Sequence, residues 1–465
     1  MLDVSLSVPS RPARRPARIA ILGGGFSGAA LAVHLARTGG ASVTLVEPDA
    51  VGRGVAYAAD PAHLLNVPAA RMSLYPDVPD DFLVWARARG VAASPTTFLP
   101  RALYGAYVSE TFGRVAAGTT RVVRARAETV DAGPAGWRIR LADGGTVEAD
   151  AVVLATGNPP PADPPGLAGI IGSPRYVADP WRRDALAAIG AADAILLVGT
   201  GLTALDVLVS LRERGHHGPI RALSRRGLVP LPHLEAGGPP AAAPVTIAPG
   251  TSLEGLVRLV HAAGKAAVAD GRAWQGVVDG LRAATPTLWA GFTAVERRRF
   301  LRHLRPYWEV HRHRAPDVVL GHVRALQAAG ALEIVAGRIL ESAASADGVA
   351  VTLRRRGSAD LEQVRVAHVI NTTGPDTDLA RGGGALLRDL LSRGVVLQDA
   401  DRLGLRTSTD AAALRADGTV HTGLYVLGQA RRADLWEHTA VPDLSRGAAA
   451  LAEHLSALTV AVATP

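Results

Sequence analysis

Apolar positions along the chain follow one succession of rhythms, and that succession occurs twice. Arg18 to Leu22 is a short apolar run, a glycine turn follows, and apolar residues then recur at helical spacing from about Ser27 to Thr38. A second apolar run, Ser42 to Val46, ends at Glu47. The pattern predicts strand, turn, helix and strand. Ala194 to Val198, a second glycine turn, a helical stretch from about Leu202 to Arg214 and the run Ile220 to Ser224 repeat it. Both copies continue alike. Arg121 to Ala127, Trp137 to Leu141 and Thr146 to Glu148 read as a small meander leading into Ala151 to Leu154 and then Ala155-Thr156-Gly157. Leu332 to Gly337, Val349 to Arg354 and Val364 to Val366 lead likewise into His368 to Asn371 and Thr372-Thr373-Gly374.

Residues 250–330 break this rhythm, being helical in periodicity and holding Trp274, Trp289, Tyr307 and Trp308, and they read as a helical insertion in the second unit. The tail gives a strand, Leu424 to Leu427, and a final helix that returns to complete the first unit. The predicted fold class is α/β, with two Rossmann-like units. The first takes residues 18–160 and 365–465 and the second 190–364, with 1–17 a disordered basic leader.

Composition narrows the chemistry. The 465 residues are 48% apolar and 20% charged, enough for a sizeable core. Cysteine is absent, which excludes disulfides, thiolate metal sites, cysteine nucleophiles and any dithiol relay. The net charge of +8 comes almost wholly from arginine, Lys265 being the single lysine. These arginines are spread out and concentrate only at Arg11, Arg14, Arg15 and Arg18, so the charge does not point to nucleic acid. Arg14-Arg15 precedes a run interrupted by Gly23, Gly24, Gly25 and Gly28, unlike a twin-arginine signal. The stretch Ala194 to Leu211 carries Gly199, Gly201 and Asp206 and is too short to span a bilayer. A cytoplasmic protein without membrane contact is expected, and homo-oligomers are compatible with the sequence.

Two glycine motifs carry the binding chemistry. Gly23-Gly24-Gly25-Phe26-Ser27-Gly28 fits G-x-G-x-x-G between a strand and a helix. There backbone amides and a helix N-terminus receive a pyrophosphate, and Glu47 at the next strand end can accept ribose hydroxyls. Gly199-Thr200-Gly201-Leu202-Thr203-Ala204 fits G-x-G-x-x-A, and the following strand ends in Ser224-Arg225-Arg226. A guanidinium suits a 2′-phosphate where a carboxylate would repel it, so the second site favours NADPH over NADH. In an arginine-rich chain the same pair also fits a solvated strand end. His311-Arg312-His313-Arg314 has no neighbouring carboxylate pair and is poor metal-ligand chemistry, so no metal is expected. The cluster fits an anion site or a helix with its arginines in solvent.

With these two sites and the two threonine-glycine turns, the chain resembles flavoproteins with two dinucleotide-binding domains, in which the first site holds FAD and the second NAD(P)H. Gly52 to Tyr57, His63 to Pro68, Met72, Tyr307 to Arg314 and Leu435 to Leu444 more narrowly resemble bacterial FAD-NAD(P)-binding proteins related to the N-hydroxylating flavin monooxygenases. Ile171 to Tyr176 lacks the Phe and His of the F-x-G-x-x-x-H signature of Baeyer-Villiger-type relatives.

The resemblance implies FAD on Gly23, Gly25, Phe26, Ser27, Gly28, Glu47 and Val441, and cofactor binding also by Gly157, Gly374 and Gly428. It implies NADPH on Gly199, Gly201, Leu202, Thr203, Arg225 and Arg226, and catalytic roles for His63, Asn66 and His438. For the two histidines, hydrogen bonding to loop backbone is an equal alternative. The implied activity is an NADPH-dependent flavoprotein monooxygenase acting through a C4a-hydroperoxyflavin, with O2 and a small nucleophilic substrate, amines included. A reductase or dehydrogenase passing electrons to a carrier, and a nucleotide-binding redox sensor, are the alternatives.

Overall fold

The computed structural model describes residues 14–57, 60, 62–133, 136–234 and 238–461. Its strands are β1 (Arg14–Leu22), β2 (Ala41–Val46), β3 (Thr120–Val123), β4 (Ala127–Gly133), β5 (Gly136–Leu141), β6 (Thr146–Ala149) and β7 (Ala151–Leu154). The second unit follows with β8 (Tyr176–Val177), β9 (Ile195–Val198), β10 (Ile220–Ser224), β11 (Leu332–Ser345), β12 (Gly348–Arg355), β13 (Leu361–Val366) and β14 (His368–Asn371). Last come β15 (Ala412–Leu414), β16 (Val420–Val426) and β17 (Thr459–Ala461). Four helices position the sites: α1 (Phe26–Thr38), α2 (Leu202–Glu213), α3 (Asp317–Ala328) and α4 (Val441–Ser456).

The first sheet has the order β15-β16-β7-β1-β2-β3, parallel from β16 to β3, and β17 pairs antiparallel with the start of β1. The second runs β13-β12-β11-β10-β9-β14-β8, parallel from β11 to β8. Each is a Rossmann-like sheet with its first crossover helix, α1 or α2, directly after the glycine turn.

Strand alternation explains why both faces of the first sheet are covered. Ile19 and Ile21 of β1 join one core with α1 and α4, whereas Ala20 and Leu22 join another with the three-stranded sheet β4-β5-β6. Side chains alternate across a strand, so a strand apolar at every position is buried on both sides. β9 behaves alike: Ile195 and Leu197 face α2 and α3, and Leu196 and Val198 face Leu167, Ile170 and β12.

Four details differ from the sequence expectation. β1 begins at Arg14, inside the expected leader, because Arg15 and Arg18 both bond the Asp150 carboxylate; residues 1–13 lie outside the described set. The meander starts at Ala127, since Thr120–Val123 pairs in parallel with β2 as a strand of the main sheet. The second sheet holds β13 and β14, so the chain returns to the first unit after Asn371 rather than at 365. Finally, α3 is no part of the insertion: Leu320, Val323 and Leu326 pack into the core under β9 and β10, as a crossover helix should.

Candidate functional site

Each glycine turn closes on a helix N-terminus. At Gly23, φ is +107°, and an added Cβ would stand 2.3 Å from the Ala155 carbonyl oxygen. A Cβ on Gly28 would meet the Gly23 oxygen at 1.9 Å, so both positions exclude a side chain. Gly25 is the N-cap of α1, and the nearest atom to its absent Cβ, at 3.7 Å, is the Cα of Gly54. Glu47 accepts from the amides of Gly24 at 2.6 Å and Asp49 at 2.9 Å, which orients its carboxylate and leaves lone pairs for a diol. Phe26 is buried among Tyr57 and Tyr104, so what it offers a ligand is its backbone amide. Ser27 approaches Gly428, and Gly157 follows β7 next to Thr156, whose buried hydroxyl has no partner. An orphan hydroxyl beside an uncrowded helix N-terminus is what a pyrophosphate-bearing ligand such as FAD would satisfy.

At the second turn Gly199 lies against Thr372, whose hydroxyl donates to the Gly199 carbonyl at 3.1 Å; Gly374 lies two residues beyond Thr372. Gly201 caps α2 and has open space where its Cβ would be, with Leu202 and Thr203 opening the helix. Arg225 and Arg226 follow β10 and line a cleft of about 400 Å³ with Arg338, Arg354, Arg355 and Arg356, with no carboxylate in its wall. Arg355 is neutralised by Glu333 at 2.7 Å and Glu362 at 2.8 Å. Arg226 sits over the Tyr307 ring at 5.5 Å. The cleft suits a phosphate. Arg338, Arg354 and Arg356 escaped the sequence reading, since Arg354-Arg355-Arg356 is one basic run among many and only the β11–β12 pairing brings it to β10.

A larger cleft, about 990 Å³, opens between the start of α4, the segment Ala70–Pro79 and the insertion near Arg282. Val441 is the buried first residue of α4, whose N-terminus carries partial positive charge. Ahead of it Trp436 holds φ +50°, stacked on Trp289 at 4.7 Å, and turns the chain into Glu437 and His438. Glu437 is buried, accepts from Trp308 Nε1 at 2.8 Å and lies 3.2 Å from Arg312 Nε. Burial, with Arg431 adding to it, pushes His438 down to about 4, and its Nε2 has no partner. The His311 to Arg314 cluster serves this wall: Arg314 bonds Asp279 at 2.6 Å, and His311 bonds the Tyr307 carbonyl at 2.8 Å. Among the described residues no group of three or more histidine or acidic side chains could hold a metal.

His63 and Asn66 are not in that wall. His63 Nε2 lies 2.7 Å from Ser210 Oγ and 3.0 Å from the Asp206 carbonyl, both on α2. A carbonyl only accepts, so Nε2 carries the hydrogen, and burial pushes the ring below its ordinary pKa. Beside it Arg101 meets the Asp206 carboxylate at 2.9 Å. The backbone carbonyl of Asn66 accepts from His233 Nε2 at 3.0 Å. These contacts tie the first unit to the second, those of His63 through helix α2 rather than through loop backbone.

Residues 20–159 match the profile of the FAD-NAD(P)-binding family. No curated protein matches the chain by sequence. Among solved structures the chain is similar to L-lysine 6-monooxygenase from Pseudomonas syringae, at 16% identity, a TM-score of 0.65 and coverage of 95% of this chain and 99% of the other. It is similar to the Kutzneria sp. 744 ornithine N-hydroxylase, with reduced FAD, NADP+ and L-orn in its name, at 15% identity, a TM-score of 0.63 and coverage of 95% and 99%. The thioredoxin reductase of T. acidophilum also matches, at 12% identity, a TM-score of 0.51 and coverage of 94% and 97%. Similarity at this level establishes the fold, two dinucleotide-binding Rossmann-like domains across nearly the whole chain. Among the described residues no helix is long and apolar enough to cross a membrane.

Proposed function

We propose that the protein is an FAD-dependent, NADPH-using oxidoreductase, a single-component monooxygenase acting on a small nucleophilic substrate in the cytoplasm. The carrying observation is the pairing of two glycine turns: one is followed by Glu47, which suits a ribose diol, and the other by an all-arginine cleft, which suits a 2′-phosphate. The names of the ornithine and lysine hydroxylases support oxygen insertion, and the absence of cysteine removes the disulfide chemistry that the reductase neighbour's name suggests.

Bound FAD would supply the redox chemistry, taking two electrons from NADPH and activating O2. The chain's own residues do the rest. Gly23 to Gly28 and the N-terminus of α1 hold the pyrophosphate. Gly428 and Val441 would meet the rest of the cofactor, where the N-terminus of α4 would stabilise negative charge, whereas Gly374 follows β14 of the second sheet. The stacked Trp289-Trp436 pair, with Phe300 against Trp436, forms an apolar cluster that holds the chain between Leu435 and Glu437, two residues of the cleft wall. Neutral His438 is placed to accept or return a proton at Nε2.

Purified protein should be yellow, and NADPH should bleach it without oxygen faster than NADH does. On readmitting air with substrate present, NADPH oxidised should exceed H2O2 released. Stoichiometric H2O2 under every condition would replace oxygen insertion with simple reductase activity.

A further inference from the structure

The charges around the large cleft do not balance, and the imbalance has one sign. Its wall carries three carboxylates, Asp279, Glu437 and Asp443. Each already has a guanidinium: Asp279 has Arg314 at 2.6 Å, Glu437 has Arg312 at 3.2 Å, and Asp443 has Arg282 at 2.6 Å together with Arg446. Two arginines of the wall are left over. The Arg71 guanidinium makes no hydrogen bond or ion pair among the described residues; only the backbone amide is bonded, to the Pro68 carbonyl at 2.9 Å. Arg431, 6% exposed, is met only by neutral oxygens, Thr407 Oγ1 at 3.3 Å and the carbonyls of Ser408 and Thr409 at 3.3 and 3.4 Å.

A buried cation without a counter-charge is costly, and these long contacts compensate it weakly. Two acids act on it from a distance, Asp434 and Asp410, but neither bonds its guanidinium, and Asp434 is taken by Arg406 at 2.8 Å and the Thr407 amide at 2.7 Å. Burial and the neighbouring Arg282, Arg312 and Arg314 hold Arg71 below the ordinary guanidinium value, with Asp279, itself bonded to Arg314, acting the other way. The N-terminus of α4 adds partial positive charge to the same wall. An ammonium entering here finds only carboxylates that are already ion-paired, whereas a carboxylate finds the guanidinia of Arg71 and Arg431.

Resting on the reading of this cleft as the substrate site, we infer that its substrate carries a carboxylate anchored by Arg71 and Arg431, and that the cleft rejects a substrate whose only charges are ammonium groups. Lysine and ornithine, the amino acids named for the similar structures, carry both kinds of group. This chain provides for one of them.

The test is equilibrium binding to the oxidised, flavin-loaded protein, with no turnover required. Succinate and 1,4-diaminobutane, matched in length and opposite in charge, are titrated by calorimetry. Succinate should bind and the diamine should not. Arg71→Gln should weaken succinate roughly tenfold to hundredfold, the loss of one charge-assisted contact, with the melting temperature kept within a degree or so as the check on folding. Arg431→Gln should do the same, and Arg71→Lys should restore part of the affinity. Binding of the diamine in preference to succinate, binding of neither, or succinate binding that survives both glutamine variants overturns the inference. Failure of NADPH to bleach the flavin would overturn the oxidoreductase reading instead, and the two results are read independently.

Discussion

His63 Nε2 and Ser210 Oγ stand 2.7 Å apart, and through that contact the segment after β2 grips the first helix of the second unit. Ser210 in turn donates to Asp60 at 3.3 Å. His63→Leu removes the donor that the Asp206 carbonyl and Ser210 Oγ share, at a cost of about 0.5–1.5 kcal/mol. The expected result is a lower melting temperature and a raised KM for NADPH with flavin content retained. His63→Gln, which can still donate, should recover most of both. A proton-transfer role would show the opposite split, with kcat lost in the glutamine variant while its stability holds.

Gly25→Asp sets a carboxylate at the N-cap of α1, where the pyrophosphate needs free amides and positive potential. The protein should purify with little or no flavin, read from its visible absorbance, while far-ultraviolet circular dichroism stays unchanged. Full flavin occupancy would show that the first glycine turn holds something else.

Arg354→Ala tests the part of the arginine cleft that comes from β12. Together with Arg225→Ala it should raise the KM for NADPH by roughly tenfold to hundredfold per contact and leave that for NADH nearly unchanged. Equal losses with both nucleotides would mean that these guanidinia do not read the 2′-phosphate.

Acid sensitivity should come from His438 and His233, both pushed down to about 4, mainly by burial. An unfolded histidine titrates near 6.5, so between about pH 6.5 and 4 the unfolded chain takes up protons that the folded one refuses. Stability is therefore full above that window and falls as pH drops through it, by about 1.4 kcal/mol per pH unit for His438. His438→Asn should flatten the decline in melting temperature between pH 7 and 5. An unchanged slope would place the loss elsewhere.

The parts of this molecule legible in its sequence are those where the backbone itself imposes the residue. Gly23 and Gly28 have no room for a Cβ, and the alternation in β1 and β7 is set by two buried faces, so turn, strand and helix could be read directly. Apolar alternation over Arg121 to Ala127 suggests a strand of the meander but does not say which sheet it joins; the parallel pairing of Thr120–Val123 with β2 decides that. Arg71 and Arg431 carried no signal, since a composition this rich in arginine hides the few that lack a partner. Likewise His63 lies in a motif shared with flavoenzymes, and only the placement of α2 shows what its ring touches.

Because β16 inserts beside β7 and β17 pairs with β1, the first sheet is assembled from the two extremes of the chain. Its partner is drawn wholly from the interval between Tyr176 and Asn371. On the ribosome, where the chain emerges in order, the second unit has all its strands before the first can close. During synthesis β1, β2 and β7 must wait with one edge open for strands still to be translated. A stalled or truncated chain that ends before Val420 therefore exposes the edge of β7 as a template for non-native pairing, and the last forty-odd residues act as the fastener that removes it.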